Sequence, residues 1–327
     1  MKRVSILVPE SSVMQAIADP EYLFLAVNQF MAVSGKQPLF DVELVGAKKQ
    51  VLLNNGMFTV NTKHLLEDVE RTDLVVIPAL FGDMKKAIAL NEGVLPWILQ
   101  QYQKGAEVAS LCVGAFLLAS TGLLDGKKCS THWGFQNEFR EMFPKVEVMD
   151  GSIITEEHRL YSSGGANSYW NLLLHLVEKY TDRETAILAS KYFAIDIDRD
   201  SQATFAMFKG QKNHNDEVVK KAQIYIENNV QEKITIDELA DMMATGRRSF
   251  ERRFKLATNN SVLEYILRVK VESAKKRFET SRKNISEVMY DIGYTDTKAF
   301  RTIFKKITGL TPIEYRNKYN KIGLKVA

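Results

Sequence analysis

A cysteine lies where a β-branched apolar run meets a short apolar helix, in the segment EVASLCVGAFLLAS. Cys112 directly follows the predicted strand, and Gly114 permits a tight turn into the helix. The N-terminus of a helix favours a thiolate, so the arrangement predicts a nucleophile elbow with a lowered thiol pKa. His132, in CSTHWGF, is a candidate base for this thiol. The alternative is that Cys112 is a packing residue, as most lone buried cysteines are.

A second set of candidate residues lies on a duplicated, basic segment. Residues 247–265 align with 297–315 at a constant offset of 50, and six of the 19 positions are identical. Each copy has two phenylalanines one helical turn apart that define an inward face, which leaves a cationic outer face. Such a face suits insertion into the DNA major groove, whereas ordinary helical hairpins would explain neither the duplication nor the basic excess. The predicted DNA-contacting residues are Arg247, Arg248, Glu251, Arg252 and Lys255 in the first copy and Thr297, Lys298, Arg301, Thr302 and Lys305 in the second.

A shorter amphipathic helix is predicted before each cationic helix. A capping box, Thr235 with Glu238, begins the first of these short helices. Turns containing Thr245-Gly246 and Gly293-Tyr294 then lead into the cationic helices, so each copy predicts a helix-turn-helix unit. The apolar stripes, spaced i, i+3, i+4 and i+7, are Ile236, Leu239, Ala240 and Met243 in the first copy and Ile285, Val288, Met289 and Ile292 in the second.

The cysteine elbow has to be positioned by the elements that precede it. Short β-branched runs alternate there with stretches of helical spacing, a pattern that predicts βαβ units and an α/β sandwich with a mostly parallel sheet. Binding and catalytic sites in such sheets gather at the carboxyl ends of the strands, which is where Cys112 falls. The predicted strands are 4–8, 40–46, 73–78 and 107–111, and the predicted helices include 22–33 and 85–104.

Composition and charge narrow the class of protein. The 327 residues are 45% apolar and 26% charged, as expected for a globular protein of two domains. Residues 1–210 carry a net charge of −5 and residues 211–327 a net charge of +9, so we expect only the second part to bind a polyanion. No apolar run is long enough to span a membrane, and Cys112 and Cys129 form no disulfide framework, so we expect a cytoplasmic protein. No histidine pair has metal-ligand spacing, and we expect neither a metal nor a cofactor.

The run LCVGAFLLASTGLLDGKKCSTHW, followed by SSGGANSYWNLLLHLVEKY, resembles the DJ-1/PfpI branch of the class I glutamine amidotransferase-like fold over residues 3–195. It is most similar to the version fused to AraC-type regulators. The resemblance implies a flavodoxin-like sandwich and, in catalytic members, an elbow cysteine, a nearby histidine and an acidic residue after the first strand. Cys112 and His132 match the first two, but Gln15 falls at the third position. An amide cannot exchange a proton as a carboxyl does, so these three residues are vestigial candidates for catalysis.

The duplicated segment closely resembles the AraC/XylS family DNA-binding domain over residues 218–320. Its signatures are GRRSFERRFK and DIGYTDTKAFRTIFKKITGLTPIEYR. The resemblance implies two helix-turn-helix units joined by a long helix over Leu263–Glu279. Gly246 replaces the usual serine N-cap, and Lys298 and Thr302 stand where serine and arginine are more usual, which implies a different base preference in the second unit.

The sequence as a whole predicts a DNA-binding transcriptional regulator. We expect a DJ-1/PfpI-like sensor domain over 1–207, a linker over 208–217 and an AraC-type domain over 218–327. The expected partners are double-stranded DNA, a small-molecule effector and a second copy of the chain. The alternative is an active cysteine amidase or glyoxalase-like enzyme that uses Cys112 and His132. Gln15 disfavours that alternative, and we expect no enzyme.

Overall fold

The computed structural model describes residues 1–197, 199 and 201–320. The chain divides into two compact units, Met1–Gln202 and Ala203–Ala327. The first unit has one hydrophobic core and the second unit has two. Within the described residues, no helix is both long enough and apolar enough to cross a membrane.

The first unit is built on a mixed sheet that is mostly parallel, as the alternating pattern predicts. Its strands and the short strands beside it are β1 (Lys2–Leu7), β2 (Phe40–Gly46), β3 (Gln50–Leu53), β4 (Phe58–Asn61), β5 (His64–Leu65), β6 (Leu74–Ile77), β7 (Glu107–Ser110), β8 (Lys128–Cys129), β9 (Glu147–Val148), β10 (Ile154–Glu157) and β11 (Leu160–Ser163). The strand order in the main sheet is β10-β11-β7-β6-β1-β2-β5. Among the described strands of the main sheet, only the β10–β11 pair is antiparallel, and β3 and β4 form a separate antiparallel pair. All four predicted strands are confirmed as β1, β2, β6 and β7.

Helices cover the sheet of the first unit. They are α1 (Met14–Val33), α2 (Met84–Leu90), α3 (Leu95–Gln103), α4 (Ala115–Ser120), α5 (Gln136–Met142), α6 (Tyr169–Tyr180) and α7 (Arg183–Tyr192). The stretch 85–104, predicted as one helix, is divided between α2 and α3 by a turn at Glu92–Val94. The division has a local cause, because Gly93 favours the coil and Pro96 has no N–H to bond the preceding turn.

The central strands β1, β6 and β7 bring the elbow to one edge of the sheet. The side chains of β6 are buried along its whole length, and β1 and β7 are buried from their second or third residue onward, as in parallel strands covered on both faces. All three strands run in the same direction, so their carboxyl ends meet. The N–H of Leu111 donates to the carbonyl oxygen of Ile77 at 2.9 Å, which holds the chain in register up to Cys112.

The second unit consists of helices, and the duplication is visible in their packing. They are α8 (Glu217–Asn228), α9 (Ile236–Met242), α10 (Arg247–Thr258), α11 (Val262–Thr280), α12 (Ile285–Asp291), α13 (Thr297–Thr308) and α14 (Pro312–Tyr319). Phe250 and Phe254 enter the first core, and Phe300 and Phe304 enter the second core at equivalent positions. Helix α11 contributes to both: its residues up to Val269 face the first core, and those from Val271 face the second.

The segment 208–217, predicted as a linker, lies inside the second unit. The ring of Phe208 packs on Tyr265 with centroids 5.1 Å apart, and its N–H donates to the Glu272 carboxylate at 3.1 Å. Just upstream, the carbonyl oxygen of Ala206 accepts a hydrogen bond from Lys275 at 2.6 Å. An aromatic contact and a backbone hydrogen bond therefore attach the start of this segment to α11.

Candidate functional site

Cys112 has the backbone of a nucleophile elbow. Its φ is +56°, in the left-handed region that residues other than glycine rarely adopt, and such strain is typical of functional turns. The residue opens a tight turn, Cys112–Gly114, between β7 and α4. Gly114 itself has an ordinary φ of −58°, so the left-handed position in the turn is the cysteine and not the glycine. A Cβ on Gly114 would lie 2.5 Å from the carbonyl oxygen of Pro78, so glycine is needed there for close packing.

The elbow backbone is held by two neighbouring segments. The N–H of Cys112 donates to Ser163 Oγ at 3.0 Å, at the end of β11. The carbonyl oxygen of Cys112 accepts a hydrogen bond from Thr131 Oγ1 at 3.2 Å, in the segment that also carries His132. The amide of the strained residue is therefore already satisfied within the unit.

The thiol of Cys112 is protonated at neutral pH, contrary to the lowered pKa that the helix N-terminus predicts. Burial raises the pKa of Cys112 to about 12, and the backbone N–H of Val113 offsets this only in part. The physical reason is that a desolvated thiolate loses more free energy than a short helix terminus returns. Burial raises the pKa of Cys129 to about 12 as well, so neither cysteine has the environment of a reactive thiolate.

His132 has a structural role in its own turn. Its Nδ1 accepts a hydrogen bond from the N–H of Gly134 at 3.0 Å, which caps the turn Trp133–Phe135. Because Nδ1 accepts, the neutral ring carries its proton on Nε2, and burial lowers the pKa of His132 and favours that neutral form. Within the described residues, no carboxylate forms an ion pair or hydrogen bond with His132. The ring therefore lacks the acidic partner that orients a catalytic histidine.

Gln15 is exposed on the first turn of α1, and it forms no hydrogen bond to Cys112 in the described part of the chain. The acidic residue one helical turn beyond Gln15 is Asp19. Its carboxylate accepts hydrogen bonds from Tyr169 Oη at 2.7 Å and Trp170 Nε1 at 2.9 Å. Burial and the bond to Asp19 raise the pKa of Tyr169. The only sequence signal for the group is the pair Tyr169-Trp170 in GGANSYW.

Gln202 is a second residue that the sequence does not single out. Its carboxamide is buried and bonds several segments near the elbow: Oε1 accepts from the N–H of Gly165 at 2.8 Å and of Trp133 at 3.3 Å. Its Nε2 donates to the carbonyl oxygens of Thr131 at 2.9 Å and Ser152 at 3.1 Å. These bonds join residues that are 37 to 71 positions apart, so no local pattern could reveal them.

The buried thiol leads to a labelling prediction. At neutral pH, iodoacetamide should modify Cys112 and Cys129 on the order of 1000-fold more slowly in the folded protein than in the denatured chain, because the thiolate fraction falls with the rise in pKa. The native rate should rise about tenfold per pH unit, as deprotonation proceeds toward the raised pKa. Peptide mass spectrometry after timed quenching measures both sites. Fast modification of native Cys112 near pH 7 would show that the elbow is accessible and activated.

Helix α10, which the sequence predicts as the first DNA-recognition helix, presents two unpaired arginines. Among its predicted contact residues, Arg247 bonds Asp237 at 2.9 Å and lies 3.7 Å from Glu251, and Lys255 donates to the carbonyl oxygen of Asn259. The remaining two predicted cations, Arg248 and Arg252, are exposed and form no ion pair within the described residues. They therefore are the side chains of α10 that are free to contact another molecule.

Helix α13, predicted as the second recognition helix, presents its predicted contact residues on a similar face. All five are exposed: Thr297, Lys298, Arg301, Thr302 and Lys305. Asp296 caps the helix by accepting hydrogen bonds from the backbone N–H groups of Lys298 and Ala299 at 2.7 and 3.1 Å. No ion pair holds Lys298 or Arg301 in the described part of the chain. The free cations match those of α10, whereas the cap does not, because the N-cap residue of α10 is Gly246, which provides no side-chain cap.

The turns before the two recognition helices correspond closely. Ala244, in the first turn, has a φ of +48°, and Gly293 has a φ of +74° in the second. The left-handed residue of the first turn is thus Ala244, directly before Thr245-Gly246. Glycine is required in the second turn for a further reason, because a Cβ on Gly293 would overlap the carbonyl oxygen of Gln231.

Comparisons with known proteins agree with this two-part architecture. The DJ-1/PfpI family model matches residues 32–179, and a model of a helix-turn-helix domain matches residues 239–318. The HTH-type transcriptional regulator CdhR of Pseudomonas aeruginosa is 24% identical over 95% of this chain and 90% of its own length. The regulator ArgR of the same organism is 27% identical over 67% of this chain, which covers only 66% of ArgR. A crystal structure of a THiJ/PfpI family protein from Pseudomonas syringae superposes with a TM-score of 0.51 at 15% identity, over 74% of this chain and 90% of that one.

An α/β elbow unit followed by a duplicated helix-turn-helix unit defines a two-domain protein of the helix-turn-helix class. The chain contains a domain of the DJ-1/PfpI type and a helix-turn-helix domain, and it is similar to transcriptional regulators with the same type of DNA-binding domain. The relatives compared above are named as regulators and not as enzymes.

Proposed function

We propose that this protein is a cytoplasmic, sequence-specific DNA-binding regulator of transcription. The observation that carries the proposal is the pair of equivalent helices, α10 and α13, each buried through two phenylalanines and exposed through cationic residues. The basic charge of residues 211–327, with 24 Lys and Arg against 15 Asp and Glu, supplies attraction to a polyanion. Arginines and lysines at the outer face of such helices can read guanine edges in the major groove.

We assign the first unit to control of DNA binding and not to catalysis. The protonated thiol of Cys112, the capping role of His132 and the exposed position of Gln15 all weigh against a hydrolytic enzyme. We place the binding of a small effector at the carboxyl ends of β1, β6 and β7, where binding sites gather in parallel sheets. Exposed aromatic side chains on α1 and α7, Tyr22 and Tyr192, support a homodimer formed through this unit.

Substitution of the free arginines of α10 tests the proposed function. Arg248→Ala and Arg252→Ala should each weaken binding to a preferred duplex by about 1–3 kcal/mol if the side chain reads a guanine. The probe is a duplex recovered by the full-length protein from a random-sequence library, and affinity is measured by fluorescence anisotropy. A scrambled duplex at two salt concentrations separates base contacts from phosphate contacts, because loss of a phosphate contact weakens all sequences alike.

Arg282→Ala is the matched control for this experiment. Arg282 is exposed in the loop between α11 and α12, so its removal changes the net charge equally without touching a recognition helix. We expect it to retain the preference for the selected duplex. If the full-length protein recovers no preferred sequence, the proposed function is wrong. If both α10 variants bind as the parent does, α10 is not at the interface.

A further inference from the structure

The ammonium group of Lys270 is buried in the middle of α11 and bonds backbone from both helix-turn-helix units. The residue is 7% exposed, and its Nζ donates to the carbonyl oxygens of Val230 at 2.6 Å, Glu232 at 2.9 Å and Ile292 at 2.8 Å. Val230 and Glu232 lie between α8 and α9, in the first helix-turn-helix unit. Ile292 is the C-cap residue of α12, in the second helix-turn-helix unit. One side chain thus joins the two helix-turn-helix units directly.

A backbone contact closes the same junction. Gly293 packs so tightly on the carbonyl of Gln231 that a Cβ would overlap its oxygen atom. Gln231 lies between Val230 and Glu232, the two residues of the first helix-turn-helix unit that Lys270 bonds. Gly293 follows Ile292 in the turn that leads to α13. We use the term "junction" for Lys270, residues 230–232 and residues 292–293. It connects the entry to α9 with the entry to α13.

The junction is specific in its geometry. An ammonium group has three donors, and all three are used on three carbonyl oxygens. Within the described residues, no carboxylate pairs with Lys270, and burial lowers its pKa, so the charge is held by backbone carbonyl dipoles and by the ring of Tyr294, whose centroid lies 5.9 Å from Nζ. A buried charge adds little net stability, but it penalises any arrangement that leaves one of its donors unpaired. Such a group fixes orientation more effectively than apolar contacts do.

Besides the junction, the orientation of the two helix-turn-helix units depends on α11 and on the segment before α8, where Thr204 bonds the carbonyl oxygen of Thr308 and Phe208 packs on Tyr265. The two hydrophobic cores of the second unit are separate, and α11 is the element that they share. Helices that enter successive turns of the major groove on one face of a duplex must sit about 34 Å apart and in phase. If the two helix-turn-helix units could rotate relative to each other about α11, binding of both to one duplex would cost the conformational entropy of fixing their orientation.

We propose that Lys270 is a positioning residue that sets the spacing and phase of α10 and α13, and so selects DNA in which two contacted segments lie at one particular separation. The proposal rests on the proposed DNA-binding function. Loss of the ammonium leaves both cores intact, because Lys270 belongs to neither. The variant should therefore fold and still bind one segment, while it loses the advantage of binding two at the correct separation.

Lys270→Met in the full-length chain tests the proposal, since methionine keeps the helix and the apolar stem. The probes are the duplex selected by the parent protein, versions with one or two base pairs inserted between its contacted segments, and a version with one segment scrambled. The parent should lose affinity on insertion. The variant should bind the original duplex about tenfold more weakly and show a spacing penalty smaller by a similar factor. Its affinity for the single-segment duplex should match that of the parent.

Lys275→Met is the matched control, because Lys275 is also buried in α11 but bonds Ala206 and Glu272 instead of the junction. It should retain the parent's spacing penalty, and circular dichroism confirms that each variant is folded. If Lys270→Met does not fold, Gly293→Ala disturbs the junction from the other side and should reduce the spacing penalty in the same way. A folded variant with the parent's full spacing penalty overturns the role of Lys270. A parent protein that selects no DNA sequence refutes the proposed function itself.

Discussion

Insertion of one alanine directly after Lys270 should reduce affinity for the selected duplex to that of a single recognition helix, a loss on the order of 100-fold if each helix supplies half of the specific free energy. The added residue rotates everything downstream by about 100° and advances it by about 1.5 Å. Residues of α11 up to Val269 stay packed in the first core of the second unit, and those from Val271 stay packed in its second core. Each helix-turn-helix unit therefore retains its own packing. The second recognition helix then no longer faces its groove.

The position of this insertion decides how it is interpreted. A residue inserted after Lys275 would turn Phe278 out of the second core. It would thereby unfold the second helix-turn-helix unit, which the insertion is meant only to rotate. Titrations with selected and scrambled duplexes at two salt concentrations measure the effect, with circular dichroism as the test of folding. Non-specific binding should persist because the charge is unchanged. An alanine after Arg282, in the loop beyond α11, is the control. Equal affinity of the α11 insertion variant and the parent would refute a rigid pair of recognition helices.

The helical unit is predictable from the sequence because its determinants are local. The pairs Phe250–Phe254 and Phe300–Phe304 are one helical turn apart, so the inward face and the cationic outer face follow from helical periodicity alone. The junction at Lys270 is not local, because its partners lie 22 to 40 residues away. Lys270 in the sequence looks like any other cation on an amphipathic helix. Only the fold shows that its ammonium group is enclosed by carbonyl groups.

The elbow shows the same division between local and non-local properties. The strand, the turn and the helix around Cys112 follow from β-branched and apolar runs, and the structure confirms them. The pKa of the thiol depends instead on burial by segments distant in sequence, and this burial reverses the sign that the helix terminus predicts. The contacts of Asp19 are a further non-local property, since it lies one helical turn from Gln15 and contacts Tyr169 across 150 residues. Alignment alone cannot resolve which turn of a helix faces a site.

Gly114→Ala should lower the free energy of unfolding of the first unit by about 3 kcal/mol, although it adds only one methyl group to the elbow. The expectation is steric and does not involve backbone strain, because the φ of Gly114 is −58°. The new Cβ would lie 2.5 Å from the carbonyl oxygen of Pro78 and 2.7 Å from that of Ile77. Both oxygen atoms belong to the buried end of the central strand β6 and its continuation, so they cannot move aside without disturbing the sheet.

Tryptophan fluorescence during guanidinium unfolding isolates this effect, because all three tryptophans, Trp97, Trp133 and Trp170, lie in the first unit. The midpoint for Gly114→Ala should fall by about 0.5–1 M, given typical denaturant slopes. Gly93→Ala is the control, since a Cβ there meets nothing within 4 Å and the φ is not positive. It should unfold at or slightly above the parent midpoint, because alanine restricts the unfolded chain. If the two variants unfold at the same denaturant concentration, the close approach between the elbow and β6 does not constrain the fold.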